Sequence, residues 1–284
     1  MHLGALPTSS VGIKIGLLLA AGISSHLSLS PPNPPIPKKQ CLRSQTFFER
    51  CVRWVTFCSK AMVWMTILTD IYATLNSYSV EYPPSDEISS VSANASIPRN
   101  LLNLTTITIT RPSPLLNLSP LFIIGVFSVV LGAIIRLWCF KTLGDCFTFE
   151  LTIRPGHTLA TSGPYSIVRH PSYTGIYLTL LGASAVGLAP GTYLHETFIN
   201  PLLRTFSLSS YDTLTRWSIP GPLHPFRQAI IAVLVVFWSL KVSYALRSTH
   251  RRMEVEDSEL RKVFGETWEA YARRVKWRLL PGVF

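Results

Sequence analysis

His157, Tyr165, His170 and Tyr173 concentrate most of the binding chemistry this chain offers into one short stretch, HTLATSGPYSIVRHPSYTG, residues 157 to 175. Gly163-Pro164 forces a turn and leaves backbone amides accessible. Pro171 stops any helix from running back through His170. Ring faces, ring edges and free amides together suit a pocket for a flat aromatic ligand with a polar tail. They equally match the belt of aromatic and basic residues that membrane helices carry at their ends. A second stretch, RRMEVEDSEL at 251 to 260, sets Glu254, Glu256, Asp257 and Glu259 beside Arg251 and Arg252. Arg252 and Glu256 are four apart, so on a helix they share a face. Carboxylates there can accept from the hydroxyls or amine of a ligand while an arginine holds a carboxylate or phosphate. A solvated charged face is the plainer alternative. Metal binding is disfavoured, because the spacing fits no zinc pattern and His157 and His170 are separated by a turn. No Gly-x-Ser-x-Gly elbow is present, and no Cys/His pair has nucleophile spacing.

The elements that must position these residues are membrane-length. Only 14% of the 284 residues are charged and 48% are hydrophobic. An ordinary soluble domain has about 25% charged residues, so much of this surface faces something other than water. A spanning helix needs about 20 mostly apolar residues. Runs at 52 to 75, 119 to 140, 173 to 190 and 228 to 246 satisfy that. A run at 12 to 29 is weaker and doubles as a signal-peptide pattern with Lys14 ahead of it, with the spanning reading favoured. Backbone polar groups in lipid must be paired internally, so the spans are helices. The expected fold is all-α: a polytopic membrane bundle of about five transmembrane helices with a cytosolic C-terminal helical cap. Residues 1–118 form an N-terminal membrane region and 119–284 the core that holds both polar stretches.

Charge sets the topology. The net charge of +11 gathers beside the apolar runs, as the positive-inside rule and anionic headgroups require, and no nucleic-acid motif accompanies it. Lys38, Lys39, Arg43, Arg50 and Arg53 put the proline-rich stretch SPPNPPIPKK, residues 30 to 39, on the cytosolic side. The polar loop 78 to 118, with sequons at Asn94, Asn103 and Asn117, is then lumenal. Continued crossing places 141 to 172 and the basic tail in the cytosol and 191 to 227 in the lumen, so the two polar stretches share one face. Leu260, Val263, Phe264, Trp268 and Tyr271 recur at helical steps, with Gly265 not expected to break the helix and Pro281-Gly282 ending it. Five cysteines without metal spacing read as small buried hydrophobes.

On RLWCFKTLGDCFTFEL (136 to 151), HTLATSGPYSIVRHPSYTG and RRMEVEDSELRKVFGETWEAYARRV (251 to 275), the chain resembles the isoprenylcysteine carboxyl methyltransferase family of integral membrane enzymes. The combination SGPY, RHPxY, an acidic pair and FGxxWxxY carries the resemblance, which covers roughly the C-terminal half. It implies S-adenosyl-L-methionine as cofactor, held by His157, Thr158, Leu159, Ala160, Tyr165, His170, Pro171, Ser172, Tyr173 and Glu256, with Glu150 standing where an amide is usual. It implies Arg252 as the catalytic, substrate-orienting residue. The implied partners are membrane lipid and the prenylated C-terminal cysteine of CaaX proteins, with no metal and no nucleic acid. The implied location is the endoplasmic reticulum membrane, with the site facing the cytosol. A phospholipid or other small-lipid methyltransferase of the same superfamily is the alternative.

Overall fold

The structure, a computed structural model, describes residues 6–34, 47–81, 114–148, 158–206 and 225–282. Among the described residues are seven α-helices: α1 Leu6–Ser28, α2 Phe47–Glu81, α3 Pro120–Leu143, α4 Pro171–Leu188, α5 Asn200–Phe206, α6 Pro225–Phe264 and α7 Glu266–Arg274. No strand occurs among the described residues. Among the described residues four segments are long and apolar enough to cross a bilayer: Ser10–Ser28, Cys51–Tyr78, Pro120–Cys146 and Phe226–Phe264. The expected crossing at 173 to 190 is α4. Its 18 residues rise about 27 Å, slightly short of the hydrocarbon core.

Helix α4 is sheltered by α3 rather than by lipid, which explains its weaker apolarity. A Cβ at Gly132 would stand 2.8 Å from the Gly175 carbonyl oxygen, and one at Gly182 would stand 2.8 Å from that of Gly125. Small residues at these positions let the two backbones touch, the usual device for helix contact in membranes. The opposite face of α3, with Ile124 and Phe127 more than 60% exposed, is left for lipid. Ser119 caps α3 by accepting from the Phe122 amide at 3.3 Å, with Pro120 at the first helical position.

Cations pin the ends of the bundle. Lys14 is part of α1 and fully buried. Its ammonium donates to Asp70 (2.7 Å), Thr74 (3.1 Å) and the carbonyls of Leu115 (2.7 Å) and Gly191 (2.9 Å). The lysine read as a possible signal-peptide flank is thus an internal tie joining α1 and α2 to the segments before α3 and after α4. At the other end Arg136 of α3 donates to the Ser28 carbonyl (2.5 Å) and to Ser172 Oγ (3.0 Å), linking α1 to the start of α4. Its guanidinium lies 5.0 Å from the Phe140 ring centre.

Two tail expectations are corrected. Gly265 does break the helix: it adopts φ +52° and separates α6 from α7. That conformation is cheap only for glycine, and it lets the chain turn back toward the bundle. The helical tail ends at Arg274, ahead of Pro281. The run 228 to 246 and the charged stretch 251 to 260 form one unbroken 40-residue helix, α6, about 60 Å long. Glu150, His157, Asn94 and Asn103 lie outside the described residues.

Asp70→Ala leaves the Lys14 charge buried and uncompensated, a loss expected to destabilise the fold by about 3–5 kcal/mol. The paired replacement Lys14→Met with Asp70→Leu removes both charges and should restore most of the melting temperature in detergent. An unchanged melting temperature in Asp70→Ala would show that the tie carries no stability.

Candidate active site

The turn before α4 and the charged end of α6 meet directly. Gly163, at φ +59°, opens a single 3-10 turn over Gly163–Ser166. The chain then reaches His170, whose non-helical backbone (φ −124°, ψ 57°) precedes Pro171 at the first position of α4. Starting the helix at a proline aims the His170 and Tyr173 side chains the same way, with their rings stacked at 5.5 Å. His170 Nε2 stands 3.0 Å from Asp257 Oδ1, and the Tyr173 hydroxyl donates to Glu256 Oε2 at 2.6 Å. These two bonds join positions 87 and 83 residues apart. Neighbouring carboxylates on α6 are therefore each held by one ring of the turn.

Cations complete the junction. Arg169 Nη1 lies 3.3 Å and Arg278 Nε 3.5 Å from Asp257 Oδ2. Burial by itself would raise the Asp257 carboxyl. The hydrogen bond and charge of His170, with Arg169 and Arg278, instead hold it below the ordinary carboxylate range. The tail straps the turn from outside. The amides of Arg169 and His170 donate to the carbonyls of Trp277 and Arg278, each at 2.9 Å. The Tyr271 hydroxyl of α7 donates to the Tyr165 carbonyl at 2.8 Å. Burial pushes the Tyr271 hydroxyl up to about 12 and raises Tyr165 well above the usual phenol, so both remain protonated at neutral pH.

A cavity opens at this junction. Its polar end is walled by Tyr165, Arg169, His170, Ser172, Tyr173, Arg252, Glu256, Asp257 and Trp268, and its apolar end by Val52, Val55, Ile176, Leu180 and Ala245. Leu159, Ala160, Tyr165, His170, Ser172, Tyr173, Arg252 and Glu256 of the expected set line it together. Pro171 is buried at the start of α4, and Thr158 is exposed. Glu150 and His157 fall outside the described residues.

Sequence reading passed over Arg136, Arg169, Asp257 as a partner of His170, and Trp268, all of them on the wall. A lone arginine in an apolar run was the signal for Arg136; Arg169 and Trp268 come together only once the chain folds back after Gly265, and Asp257 meets His170 only when α6 packs on the turn. Buried donors in the cavity indicate what it holds. The Trp268 indole N–H and Arg169 Nε have no hydrogen-bond partner among the described residues, and the guanidinium stands 5.8 Å from the Trp268 ring. Buried donors are rarely left unmade. Two such donors and the Glu256 carboxylate on the wall of one cavity fit a ligand that carries both an acid and hydroxyl groups. Among the described residues no group of His, Cys, Asp and Glu gathers in a metal-binding arrangement.

Comparison with known proteins finds one matching family model over part of the chain and relatives whose names differ in activity. Residues 123–199 match the model of the isoprenylcysteine carboxyl methyltransferase (ICMT) family. The protein-S-isoprenylcysteine O-methyltransferase B of Arabidopsis thaliana is 27% identical over 153 residues, 53% of this chain and 55% of that protein. The Delta(14)-sterol reductase of Septoria lycopersici is 29% identical over 129 residues, covering 45% of this chain and 22% of the reductase. The cobalt-zinc-cadmium resistance protein CzcN of Cupriavidus metallidurans is 39% identical over 69 residues, 24% of this chain and 28% of CzcN. The chain thus spans about half or less of the length of these relatives. No solved structure matches it.

The depressed Asp257 carboxyl has a pH signature. A carboxyl whose folded value lies below its unfolded value contributes stability above the unfolded value, and that contribution disappears as pH falls toward the folded one. Thermal unfolding of the wild type should therefore weaken steeply as pH drops below about 4. Asp257→Asn should start less stable at pH 7 and show a flatter acid limb. Parallel acid limbs would remove Asp257 from the account.

Proposed function

We propose that this chain, whose residues 123–199 match the model of the isoprenylcysteine carboxyl methyltransferase family, methylates the C-terminal carboxylate of prenylated cysteine in CaaX-type proteins, with S-adenosyl-L-methionine as methyl donor. The observation that carries the reading is one cavity with two ends of opposite character, charged where the turn meets α6 and α7 and apolar between α2, α4 and α6. A charged, water-borne cofactor and a lipid-anchored acceptor need such a meeting place. On this reading 119–284 form the methyltransferase core, and the polar end faces the cytosol at the endoplasmic reticulum membrane.

The cofactor fits the donors and acceptors present. Trp268 and Arg169 supply N–H groups suited to its carboxylate. Glu256 offers an acceptor for its hydroxyls, and Tyr173 fixes that carboxylate in place. Leu159, Ala160, Tyr165 and His170 wall the same end. Bound there, S-adenosyl-L-methionine supplies a methyl carbon activated by its positive sulfur.

The protein's own residues supply position and dryness. The acceptor carboxylate is ionised at pH 7, so no general base is required. Arg252, one helical turn from Glu256 and on the same wall, orients that carboxylate through its fork. Arg252 must hold it without quenching it, because binding that is equal in ground and transition states adds no rate. The apolar walls strip water from the reacting end. Holding two reactants in line can contribute about 7–11 kcal/mol.

A methyl-transfer assay on membranes, with radiolabelled S-adenosyl-L-methionine and N-acetyl-S-farnesylcysteine, tests the reading against phosphatidylethanolamine as rival acceptor. Losing one partner of a buried charge pair costs about 2–5 kcal/mol. In Arg252→Ala, kcat/KM for the prenylcysteine should accordingly fall by roughly 30-fold or more, with cofactor affinity little changed. Glu256→Ala and His170→Ala should lose cofactor affinity by titration. Equal cofactor affinity in all three variants, or transfer to the phospholipid alone, refutes the assignment.

A further inference from the structure

The segment that straps the turn has an outer surface the cavity does not use. From Tyr271 to Leu280 its side chains sort by face. Tyr271 and Val275 are buried, whereas Arg273, Arg274 and Lys276 are exposed. Four cations fall within six residues, Arg273 to Arg278, and residues 270–284 contain no Asp or Glu. Beside them Trp277 and Leu280 are 40% and 49% exposed, and Ile167 on the strapped turn is 53% exposed. Helix α4 fixes the depth of this patch. The Thr174 hydroxyl, in the first turn of α4, donates to the Leu279 carbonyl at 2.8 Å. The carbonyls of Trp277 and Arg278 hold the two residues just ahead of Pro171. The patch therefore lies where a spanning helix enters lipid. Tryptophan among basic residues at that depth is the composition of a membrane–water boundary.

Resting on the cofactor reading of the site, we propose that this patch docks on anionic phospholipid headgroups and that docking holds the cofactor end of the cavity closed. Lipid phosphates accept from Arg273, Arg274 and Lys276, while Trp277 and Leu280 settle just below them. Each cation near an anionic leaflet is worth about fivefold in binding. A water-borne acidic partner would match the charge but leave the two apolar side chains to be covered separately; the membrane boundary covers both. The same segment builds the cavity wall. It holds the Arg169 and His170 amides, and it brings Arg278 Nε to 3.5 Å from Asp257. A strap lifted off the turn withdraws Arg278 and releases both residues. A docked strap presents its cations and Trp277 already in order, whereas a lifted one must order them on the surface at an entropic cost. Headgroups therefore favour the docked strap, and by reciprocity a cofactor that needs the docked strap tightens its hold on the headgroups.

The test places the full chain in nanodiscs of phosphatidylcholine alone or mixed with phosphatidylserine. Hydrogen exchange at Arg169 and His170 reads the strap with no cofactor present, and titration with S-adenosyl-L-methionine reads the site. Coupling between sites is commonly about 5- to 150-fold. Phosphatidylserine should therefore slow exchange at the two amides, and tighten cofactor affinity, by about fivefold or more. The triple replacement Arg273→Gln, Arg274→Gln and Lys276→Gln should lose both effects and keep the phosphatidylcholine values. Lys262→Gln, an exposed cation of α6 outside the patch, should keep both effects. If the triple variant does not fold, raised salt on the wild type carries the test, because screening shortens to about 3 Å at 1 M and should erase the lipid difference. Equal exchange in the two lipids, or a phosphatidylserine effect that survives in the triple variant, overturns the docking surface. Protection that is the same in both lipids and lost when each disc holds a single chain marks a second copy as the occupant and overturns it too. Slowed exchange with cofactor affinity equal in both lipids overturns the closure alone. Slowed exchange with no cofactor binding in either lipid keeps the docking surface and overturns the cofactor reading.

Discussion

Two adjacent acids at the far end of a long helix, each taken up by a different ring of one turn, hold the rest of the arrangement in place. Asp257 is buried, and a buried carboxylate is tolerable only when paired. His170, Arg169 and Arg278 supply the pairing for Asp257, and Tyr173 supplies it for Glu256. Because His170 and Tyr173 straddle the first residues of α4, the same bonds that neutralise α6 also fix where α4 begins. The tail then closes over the junction through main-chain bonds at Arg169 and His170. Cavity shape, donor placement and the alignment of Arg252 all follow from this meeting of distant segments.

Within the bundle the same logic recurs at three cations, each of which ties elements distant in sequence. Lys14 joins α1 and α2 to two connecting segments, Arg136 joins α1, α3 and α4, and Lys241 joins α6 to α2. Apolar packing cannot specify register between helices already surrounded by lipid, since lipid tails are as apolar as leucine. A charged group that must be paired in a single geometry can. The glycine contacts of α3 and α4 bring those helices together; the cations decide how far each slides.

Much of this was legible in the linear order of residues, and the failures have physical causes. Hydropathy located α1, α2, α3 and α6 because a lipid-facing helix has to be apolar along its length, and Pro171 marked the start of α4. The four-residue step from Arg252 to Glu256 placed both on one wall. Gly265 misled because helical spacing of Phe264, Trp268 and Tyr271 continues across it, whereas the break depends on φ, which spacing does not record. Lys14 left the signal-peptide alternative open because a lysine ahead of an apolar stretch looks alike whether it flanks a cleaved segment or meets Asp70 from 56 positions away. Arg169 and Trp268 acquire their place only through the return of the chain after Gly265, a contact no local pattern encodes. Glu150 and His157 lie beyond the described residues.

Helix α6 runs without interruption from Trp238 through Lys241 to Arg252 and Glu256. Those side chains therefore share an angular phase as well as a spacing. Each residue of an α-helix turns the next by about 100°. Adding or deleting a single residue between 241 and 252 would swing the charged wall roughly a quarter-circle away from Trp238 and Lys241, though every side chain would still be present. Substitutions in that stretch are limited by what each side chain touches, whereas its length is limited by rotation, and a change of length comes near to restoring phase only at about a full turn.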